Sequence, residues 1–198
     1  EAMDCTSVYK PVTRTELGFS TVLTLDLRDE APPQAIGAIT RADTIFASAD
    51  SLYLAMSEWE SGPFRSLDGS LDSRIHKFAL GEEGPVYTAS GRAPGTLLNQ
   101  FSMGERDGFL QLATNDWSRD ESSSSVLVLG QQGTRLDVVG SVRGIAPGES
   151  IFAARFEGDR GYIVTFERID PLFTVDMSEP TDPRVVGQLE VTGFSSYL

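Results

Sequence analysis

Three segments of the chain share one pattern, in which an Asp at a turn is followed by a run of β-forming residues. They are Asp50–Met56 (DSLYLAM), Asp107–Thr114 (DGFLQLAT) and Asp159–Phe166 (DRGYIVTF). Their first residues lie 57 and 52 positions apart. Alternating or continuous apolar runs after a turn are typical of β-strands. The chain therefore contains a β-rich repeat of about 50 residues.

Further strand candidates accompany each segment, so that the repeating unit has four strands. Asp107-Gly108 is a hairpin signal, and Pro-containing stretches at 26–33 and 176–183 predict turns. Gly108 and Gly161 are expected to supply positive φ angles in tight connections. The strand before each Asp turn is predicted at Thr44–Ser48, Leu97–Met103 and Ile151–Glu157. The second strand after the turn is predicted at Ser73–Leu80, Ser125–Gly130 and Pro171–Met177, with Phe19–Leu27 as an earlier member. The third is predicted at Val86–Arg92, Leu136–Arg143 and Arg184–Val191, with Gln34–Thr40 as an earlier member.

A four-stranded antiparallel sheet repeated at this interval is typical of a β-propeller. The sequence predicts an all-β chain, a β-propeller fragment of about three and a half four-stranded antiparallel blades. The expected single domain, 1–198, has a partial blade at 15–42 and blades at 43–95, 96–146 and 147–193. A closed ring needs at least about four blades, so we expect an open arc. The alternative is a β-sandwich of about twelve strands, which the repeat spacing disfavours.

The composition restricts the class of partner. The 198 residues include 16 basic and 29 acidic side chains, and the formal net charge is -13. Such a surface repels the phosphates of nucleic acids and of anionic lipids. No apolar run approaches the length of about 18 residues that a membrane span needs. We therefore expect no nucleic-acid partner and no direct membrane insertion.

The chain ends and the single cysteine bear on the compartment. Residues 1–5 (EAMDC) have no signal-peptide pattern, and residues 194–198 (FSSYL) have no polar tail. We expect the chain to be a piece of a longer protein. Cys5 is either a free or buried thiol, or half of a disulfide whose partner lies outside this sequence if the parent is secreted.

Several stretches along the chain show a family resemblance. They are 158–166 (GDRGYIVTF), 170–176 (DPLFTVD), 178–183 (SEPTDP), 193–198 (GFSSYL), 75–78 (IHKF), 98–102 (LNQFS) and 146–149 (APGE). They resemble secreted bacterial and archaeal proteins with a C-terminal β-propeller domain, distantly like WD-repeat propellers. The resemblance implies the propeller fold and a location outside the cell or in the cell envelope. It implies no particular biochemical activity.

The sequence shows no complete catalytic constellation. The one histidine, His76, lies within a predicted strand (SRIHKFAL), and there is no Gly-x-Ser-x-Gly elbow. A serine hydrolase needs a base beside its nucleophile, and a histidine-rich metal site needs more than one His. We expect His76 to pack or to hydrogen-bond locally. We predict no cofactor, since no Gly-rich turn contains the Lys and Ser or Thr of a phosphate loop.

The aspartates that begin the repeats have two possible roles. Asp50, Asp107 and Asp159 recur at equivalent positions. Recurrence favours a role in the turns, because one active site needs no copy in every blade. A glycosidase-like carboxylate pair is the alternative.

Two loops and one strand class hold candidates for binding. The acidic loop at 115–125 could hold calcium or be a solvated serine-rich loop. The aromatic loop at 58–73 could anchor a partner or pack locally. The strand class before the Asp turn could direct polar groups into a central channel, towards a small ligand or water. The residues are Asp116, Asp120 and Glu121 in the loop Asn115–Ser125, Trp59, Pro63 and Phe64 in the loop Glu58–Ser73, and Asn99, Gln100 and Arg155 in the strand class.

These observations favour a noncatalytic extracellular or cell-envelope β-propeller that acts as a scaffold for protein or ligand interaction. No residue is assigned a catalytic, cofactor-binding or metal-binding role. The alternative is a hydrolase or lyase with a carboxylate active site at the channel mouth, partly outside this sequence. Exposed apolar blade edges predict self-association.

Overall fold

The computed structural model describes Met3 and residues 5–11, 18–28, 32–57, 71–117, 122–166 and 170–191. Within these ranges the chain forms sixteen β-strands, two 3-10 turns (Cys5–Ser7 and Gln100–Ser102) and no α-helix. Consequently no helix in these ranges is long and apolar enough to cross a membrane. The all-β prediction is confirmed.

The strands form a three-stranded sheet followed by three four-stranded units. Sheet 1 has the order β1-β3-β2, and β3 pairs parallel with β1 and antiparallel with β2. In the units, which we call blades A, B and C, strands adjacent in the chain pair antiparallel. The exception is in blade B, where β8 and β9 do not pair with each other but both pair antiparallel with β10, and so together occupy the place of one first strand. Sheet 1 comprises β1 (Val8–Tyr9), β2 (Ser20–Thr24) and β3 (Gln34–Ala38); blade A comprises β4 (Thr44–Ala47), β5 (Ser51–Ser57), β6 (Asp72–Gly81) and β7 (Gly84–Pro94); blade B comprises β8 (Thr96–Leu97), β9 (Met103–Arg106), β10 (Phe109–Trp117), β11 (Ser122–Gln132) and β12 (Arg135–Ile145); blade C comprises β13 (Ser150–Glu157), β14 (Arg160–Phe166), β15 (Asp170–Asp176) and β16 (Arg184–Val191).

Three apolar cores lie in turn between sheet 1 and blade A, between blades A and B, and between blades B and C. The core between sheet 1 and blade A contains Ala38, Leu54 and Phe78. Tyr53, Ile75, Leu110 and Leu127 belong to the core between blades A and B, and Val128, Ile163 and Phe173 belong to the core between blades B and C. A β-sandwich buries one core between two sheets, whereas here each inner blade buries both of its faces. The sandwich alternative is therefore wrong, and the propeller-fragment prediction is confirmed.

The outer surfaces of this arc leave apolar side chains in solvent. Leu23 of β2 is 63% exposed, Leu25 just after β2 is 62% exposed, and Leu189 of β16 is 61% exposed. No core cluster among the described residues joins sheet 1 to blade C. The two ends of the arc therefore present surfaces of the kind that other blades bury between them.

The Asp turns form as expected, with one difference. Asp107 and Gly108 have φ angles of 51° and 80°, which suits a two-residue hairpin turn. Gly161 is not among the positive-φ glycines of the described chain and lies inside β14. In that hairpin Gly158 takes the positive φ of 59°, so the expectation for Gly161 was wrong.

Two predicted elements also differ in the structure. Leu97–Met103 is not one strand, because a 3-10 turn at Gln100–Ser102 separates β8 from β9. The predicted loop Asn115–Ser125 is strand at both ends, since Asn115 pairs with Ser124 and Trp117 with Ser122. Polar side chains suggested a loop there, but the β-ladder continues through them.

The outer strands of blades A and B approach each other very closely. β7 and β12 pair parallel at Ser90–Arg135 and Gly91–Leu136. A Cβ atom on Gly91 would lie 2.2 Å from the carbonyl oxygen of Leu136. Glycine at this position therefore permits the contact between the two blades.

Replacing this glycine should separate the two strands. We expect Gly91→Ala to lower the free energy of unfolding by about 2 kcal/mol, because the added methyl group overlaps backbone atoms. The measurement is urea denaturation followed by circular dichroism. Gly187→Ala on β16 is the matched control, since its Cβ would lie 3.8 Å from Cβ of Thr174, its nearest neighbour. Equal stability of the two variants would contradict the close-contact interpretation.

Candidate functional site

The first strands of the three blades converge on one cavity. The cavity has a volume of about 440 Å³ and is lined by residues of β4, β9 and β13 and of the 3-10 turn before β9. That turn contacts both β4 and β13. The lining of the cavity includes Phe46, Gln100, Phe101, Glu105, Gln111, Arg155 and Phe156.

The structure brings together two of the three polar residues predicted for a central channel. Gln100 and Arg155 line the cavity. Asn99 instead caps the 3-10 turn, where its Oδ1 accepts a hydrogen bond of 2.9 Å from the backbone N–H of Phe101. Its carbonyl oxygen accepts a second bond of 3.1 Å from the backbone N–H of Ser102. Asn99 therefore orders the segment that presents Gln100 and Phe101.

Arg155 lies against an aromatic ring at the cavity wall. Its guanidinium carbon is 5.9 Å from the centroid of the Phe101 ring, which is within the range of a cation–π interaction. In the described part of the chain no carboxylate forms an ion pair with Arg155. Arg155 is thus a solvent-exposed cation at the cavity, without a carboxylate partner among the described residues.

Glu105 is the buried carboxylate between blades A and B. Its side chain is only 8% exposed, and Nζ of Lys77 lies 3.4 Å from Oε1. Ser51 Oγ and Tyr53 OH also donate to Oε1, at 3.0 and 2.7 Å. Ser48 Oγ donates to Oε2. Four donors of blade A therefore meet one acceptor of blade B.

This environment holds Glu105 in its charged form. Burial acts to raise the pKa of Glu105, but the hydrogen bonds from Ser48, Tyr53 and Ser51 and the charge of Lys77 outweigh it and lower the pKa. Burial and the Glu105 carboxylate raise the pKa of Tyr53. At neutral pH Glu105 is therefore an ionised acceptor, and Tyr53 is a protonated donor.

The repeated aspartates lie at blade turns, as expected for a structural role, and two of them share a second cavity. The carbonyl oxygens of Asp50 and Asp159 accept bonds of 2.8 Å from the backbone N–H groups of Leu80 and Met177. Asp50 and Asp107 line a cavity of about 520 Å³ together with Lys77 and Glu105. The turn interpretation and a shared carboxylate site are both compatible with these positions.

Arginines bind the carboxylates of two of these turns. Nε of Arg106 lies 3.2 Å from Oδ2 of Asp107, and Nη1 of Arg106 lies 3.6 Å from Oδ2 of Asp159. The second of these ion pairs joins blade B to blade C. Nε of Arg160 is 3.9 Å from Asp159.

His76 lies within β6, away from both cavities. Its side chain is fully buried, and Nδ1 is 3.0 Å from the hydroxyl oxygen of Tyr87. Nε2 has no hydrogen-bond partner in the part of the chain that the structure describes. Burial and the nearby charge of Arg74 lower the pKa of His76 to about 4, so the ring is neutral at pH 7.

The remaining candidates do not form a site within the described ranges. Asp116 belongs to β10 and pairs with Ser123, and Cys5 is exposed in the first 3-10 turn. No group of three or more His, Cys, Asp or Glu side chains in these ranges could hold a metal ion. Asp120 and Glu121, and Trp59, Pro63 and Phe64, lie outside the described residues.

Sequence reasoning missed two buried polar residues that link the blades. Glu105 was not singled out, although an acid in a strand that faces a neighbouring blade is an unusual signal. Asn115 was placed in a loop. Its Oδ1 accepts a bond of 2.7 Å from the backbone N–H of Ile151, which ties β10 of blade B to β13 of blade C.

Comparisons with known proteins agree with this architecture. A family model described as beta propeller domain matches residues 1–198. An uncharacterized protein of Archaeoglobus fulgidus is 41% identical over 143 residues, which cover 72% of this chain and 22% of that protein. An uncharacterized protein of Methanocaldococcus jannaschii is 43% identical over 112 residues, which cover 55% of this chain and 18% of that protein. The chain thus spans about a fifth of the length of these curated relatives.

Removing the charge of Glu105 should weaken the contact between blades A and B. We expect Glu105→Gln to lower the free energy of unfolding by about 2 kcal/mol, because it leaves the buried ammonium of Lys77 without a carboxylate. Asp137→Asn is the matched control, since Asp137 pairs with Arg135 at 2.8 Å on the exposed surface. That change should cost at most about 0.5 kcal/mol in urea denaturation. Equal losses for the two variants would contradict the role of Glu105.

His76 should make stability depend on pH in a defined window. Its folded-state pKa of about 4 lies below the ordinary value of 6.5, so the unfolded chain binds the proton first. The contribution of neutral His76 to the free energy of unfolding is complete above pH 6.5 and is lost as the pH falls towards 4. We expect a loss of about 2 kcal/mol between pH 7 and pH 5. Urea denaturation at each pH should show this slope in the wild type and a much smaller slope in His76→Gln; an unchanged slope would contradict it.

Proposed function

Since the chain belongs to the beta propeller domain family, we propose that it is a noncatalytic interaction scaffold outside the cell or in the cell envelope. The main observation in support is the cavity at β4, β9 and β13, to which three blades contribute. Binding sites on propellers that are formed by several blades keep their shape as long as the blades stay packed. The cavity is where we expect a protein or ligand to bind.

The bonding of Glu105 supports a binding role over a catalytic one. A general base needs a lone pair directed at substrate, but both oxygens of Glu105 accept bonds from blade A. The lowered pKa of Glu105 also makes it a poor general acid. Its evident role is to fix β9 against β5 and β6, and thereby to fix one wall of the cavity.

A carboxylate enzyme is the second candidate, and one observation favours it. Asp50 and Asp107 come from different blades and line the same cavity with Lys77. Acids from several blades at one cavity would suit a hydrolase or lyase. Against this, Asp107 is already paired with Arg106.

One experiment separates these two functions. Immobilised wild type, Phe101→Ala and Asp50→Asn/Asp107→Asn are exposed to envelope extract and culture fluid of the source organism, and retained proteins are quantified by mass spectrometry. A panel of chromogenic glycosides is assayed in parallel. If the protein is a scaffold, we expect the wild type and the Asp variant to retain one partner protein that Phe101→Ala does not retain. Turnover that the Asp variant abolishes would overturn it in favour of the enzyme.

The proposed location has its own test. The formal charge of -13 suits an acidic, solvated exterior surface, and the resemblance described above points the same way. Brief protease treatment of intact cells, followed by detection with an antibody, should degrade the protein while a cytosolic marker survives. Protection equal to that of the marker would contradict the exterior location.

The two ends of the arc should associate with a second copy of the chain. Leu23 of β2 and Leu25 just after it are exposed at one end, and Val186 and Leu189 lie exposed on the edge strand β16. Apolar sheet faces and edges of this kind promote pairing. We expect light scattering coupled to size exclusion to give a mass of at least two chains of 21.5 kDa.

Matched variants assign this association to the outer face. Leu23→Glu should shift the mass towards one chain, since it places a charge on the exposed face of β2. Leu80→Glu is the control, because Leu80 is 37% exposed at the end of β6 and lies on an inner blade. A monomeric wild type, or equal dissociation of both variants, would contradict association through the end of the arc.

A further inference from the structure

Arg155 differs from most described arginines of this acidic chain. Arg41, Arg92, Arg106, Arg135, Arg160 and Arg184 each lie within ion-pair distance of an aspartate. Arg155 has no such partner among the residues that the structure describes, although acidic residues outnumber basic ones by 29 to 16. Its positive charge instead faces a cavity. An anion that enters this cavity would meet a cation that has no carboxylate partner in the described part of the chain.

The contact with Phe101 leaves the hydrogen-bonding edge of Arg155 available. A cation–π contact uses the flat face of the guanidinium, whereas a carboxylate binds the N–H groups along its edge, often in bidentate fashion. The two contacts are therefore compatible. The Asn99 cap orders the backbone of Phe101, and the ring that the guanidinium contacts is itself partly exposed.

The other polar groups of the cavity do not compete for an anion's place. The charge of the Glu105 carboxylate is compensated by Lys77, and its oxygens accept hydrogen bonds from three hydroxyl groups. The side-chain amide of Gln111 donates to the carbonyl oxygen of Gly158 at 3.3 Å. Gln100 remains as a neutral side chain at the wall. The electrostatic preference of the cavity is therefore set by Arg155.

Three phenylalanine rings form part of the cavity wall beside this cation. Phe46, Phe101 and Phe156 line the cavity together with Ile45 and Met103. Phe46 stacks on Tyr53 with ring centroids 6.0 Å apart, and the hydroxyl of Tyr53 is held by Glu105. A volume of about 440 Å³ falls within the range of small-molecule sites, in which a few polar groups orient an apolar ligand.

We propose that the cavity binds a carboxylate attached to an apolar group, with the carboxylate on the guanidinium edge of Arg155 and the apolar group against the phenylalanine rings. This inference names the ligand class of the proposed scaffold and rests on that function. The same chemistry is found in small free acids and in peptides that end in an apolar residue with a free carboxylate.

The test is calorimetric titration of the purified chain with defined probes. The probes are 3-phenylpropionate, its neutral amide 3-phenylpropanamide, and a tripeptide with a C-terminal phenylalanine carboxylate. We expect saturable binding of at least one carboxylate probe and binding of the amide at least about tenfold weaker. Which carboxylate binds more tightly distinguishes the free acid from the peptide end. Absence of saturable carboxylate binding, or equal binding of acid and amide, would overturn the proposal.

Variants assign the binding to Arg155. Arg155→Gln should weaken binding of the carboxylate probe by at least about tenfold. Arg155→Lys should weaken this binding less, because an ammonium keeps the charge but lacks the planar donor fork of the guanidinium. Arg143→Gln is the matched control, since Arg143 is exposed on β12 and lies outside the cavity. Circular dichroism checks that each variant is folded. Equal binding by wild type and Arg155→Gln would overturn the assignment.

The outcome separates this proposal from the scaffold function. If no carboxylate probe binds while Phe101→Ala still loses the captured partner, the ligand class is wrong and the scaffold function stands. If neither binding nor capture is seen, both are overturned.

Discussion

A charged carboxylate buried between two blades sets the geometry of this protein. Glu105 exposes 8% of its side chain, and an ion removed from water is stable only when its oxygens are fully bonded. Its donors all come from blade A, from the turn at Ser48, from β5 and from Lys77 on β6. The apolar core between these blades would tolerate small shifts, whereas four directed bonds to one group permit one register. We infer that Glu105 fixes how blade B sits against blade A.

That constraint extends to the cavity and to blade C. β9, which contains Glu105, directly follows the 3-10 turn that Asn99 caps, and this turn contacts β13. On the far side, the buried side chain of Asn115 holds the backbone of Ile151 in blade C. Two buried polar contacts therefore position three blades around one cavity. The bonding of Glu105 also affects the electrostatics of the cavity. Its carboxylate is bonded to donors of blade A, whereas Arg155 lines the cavity.

The features predicted correctly from sequence are those that depend on local patterns. Strands after Asp50, Asp107 and Asp159 follow from alternation and turn chemistry, and their regular spacing indicates stacked sheets. The errors arose where tertiary contacts override local preference, as at Asn115, whose polar neighbours look like a loop but continue a β-ladder. Glu105 and Arg155 could not be paired with their surroundings from sequence, since their partners lie in other blades. Gln100 and Arg155 were placed at the channel only because their strand class was recognised.

Hydrogen–deuterium exchange of Glu105→Gln tests most directly whether this carboxylate holds the site together. We expect amides of β5, β9 and the 3-10 turn at Gln100–Ser102 to lose protection together. Amides of β14 and β15, which pair within blade C, should keep theirs. Asp137→Asn should leave the whole pattern unchanged. Loss of protection confined to β9, or spread evenly over all blades, would contradict the claim that Glu105 fixes blade A to blade B and shapes the cavity.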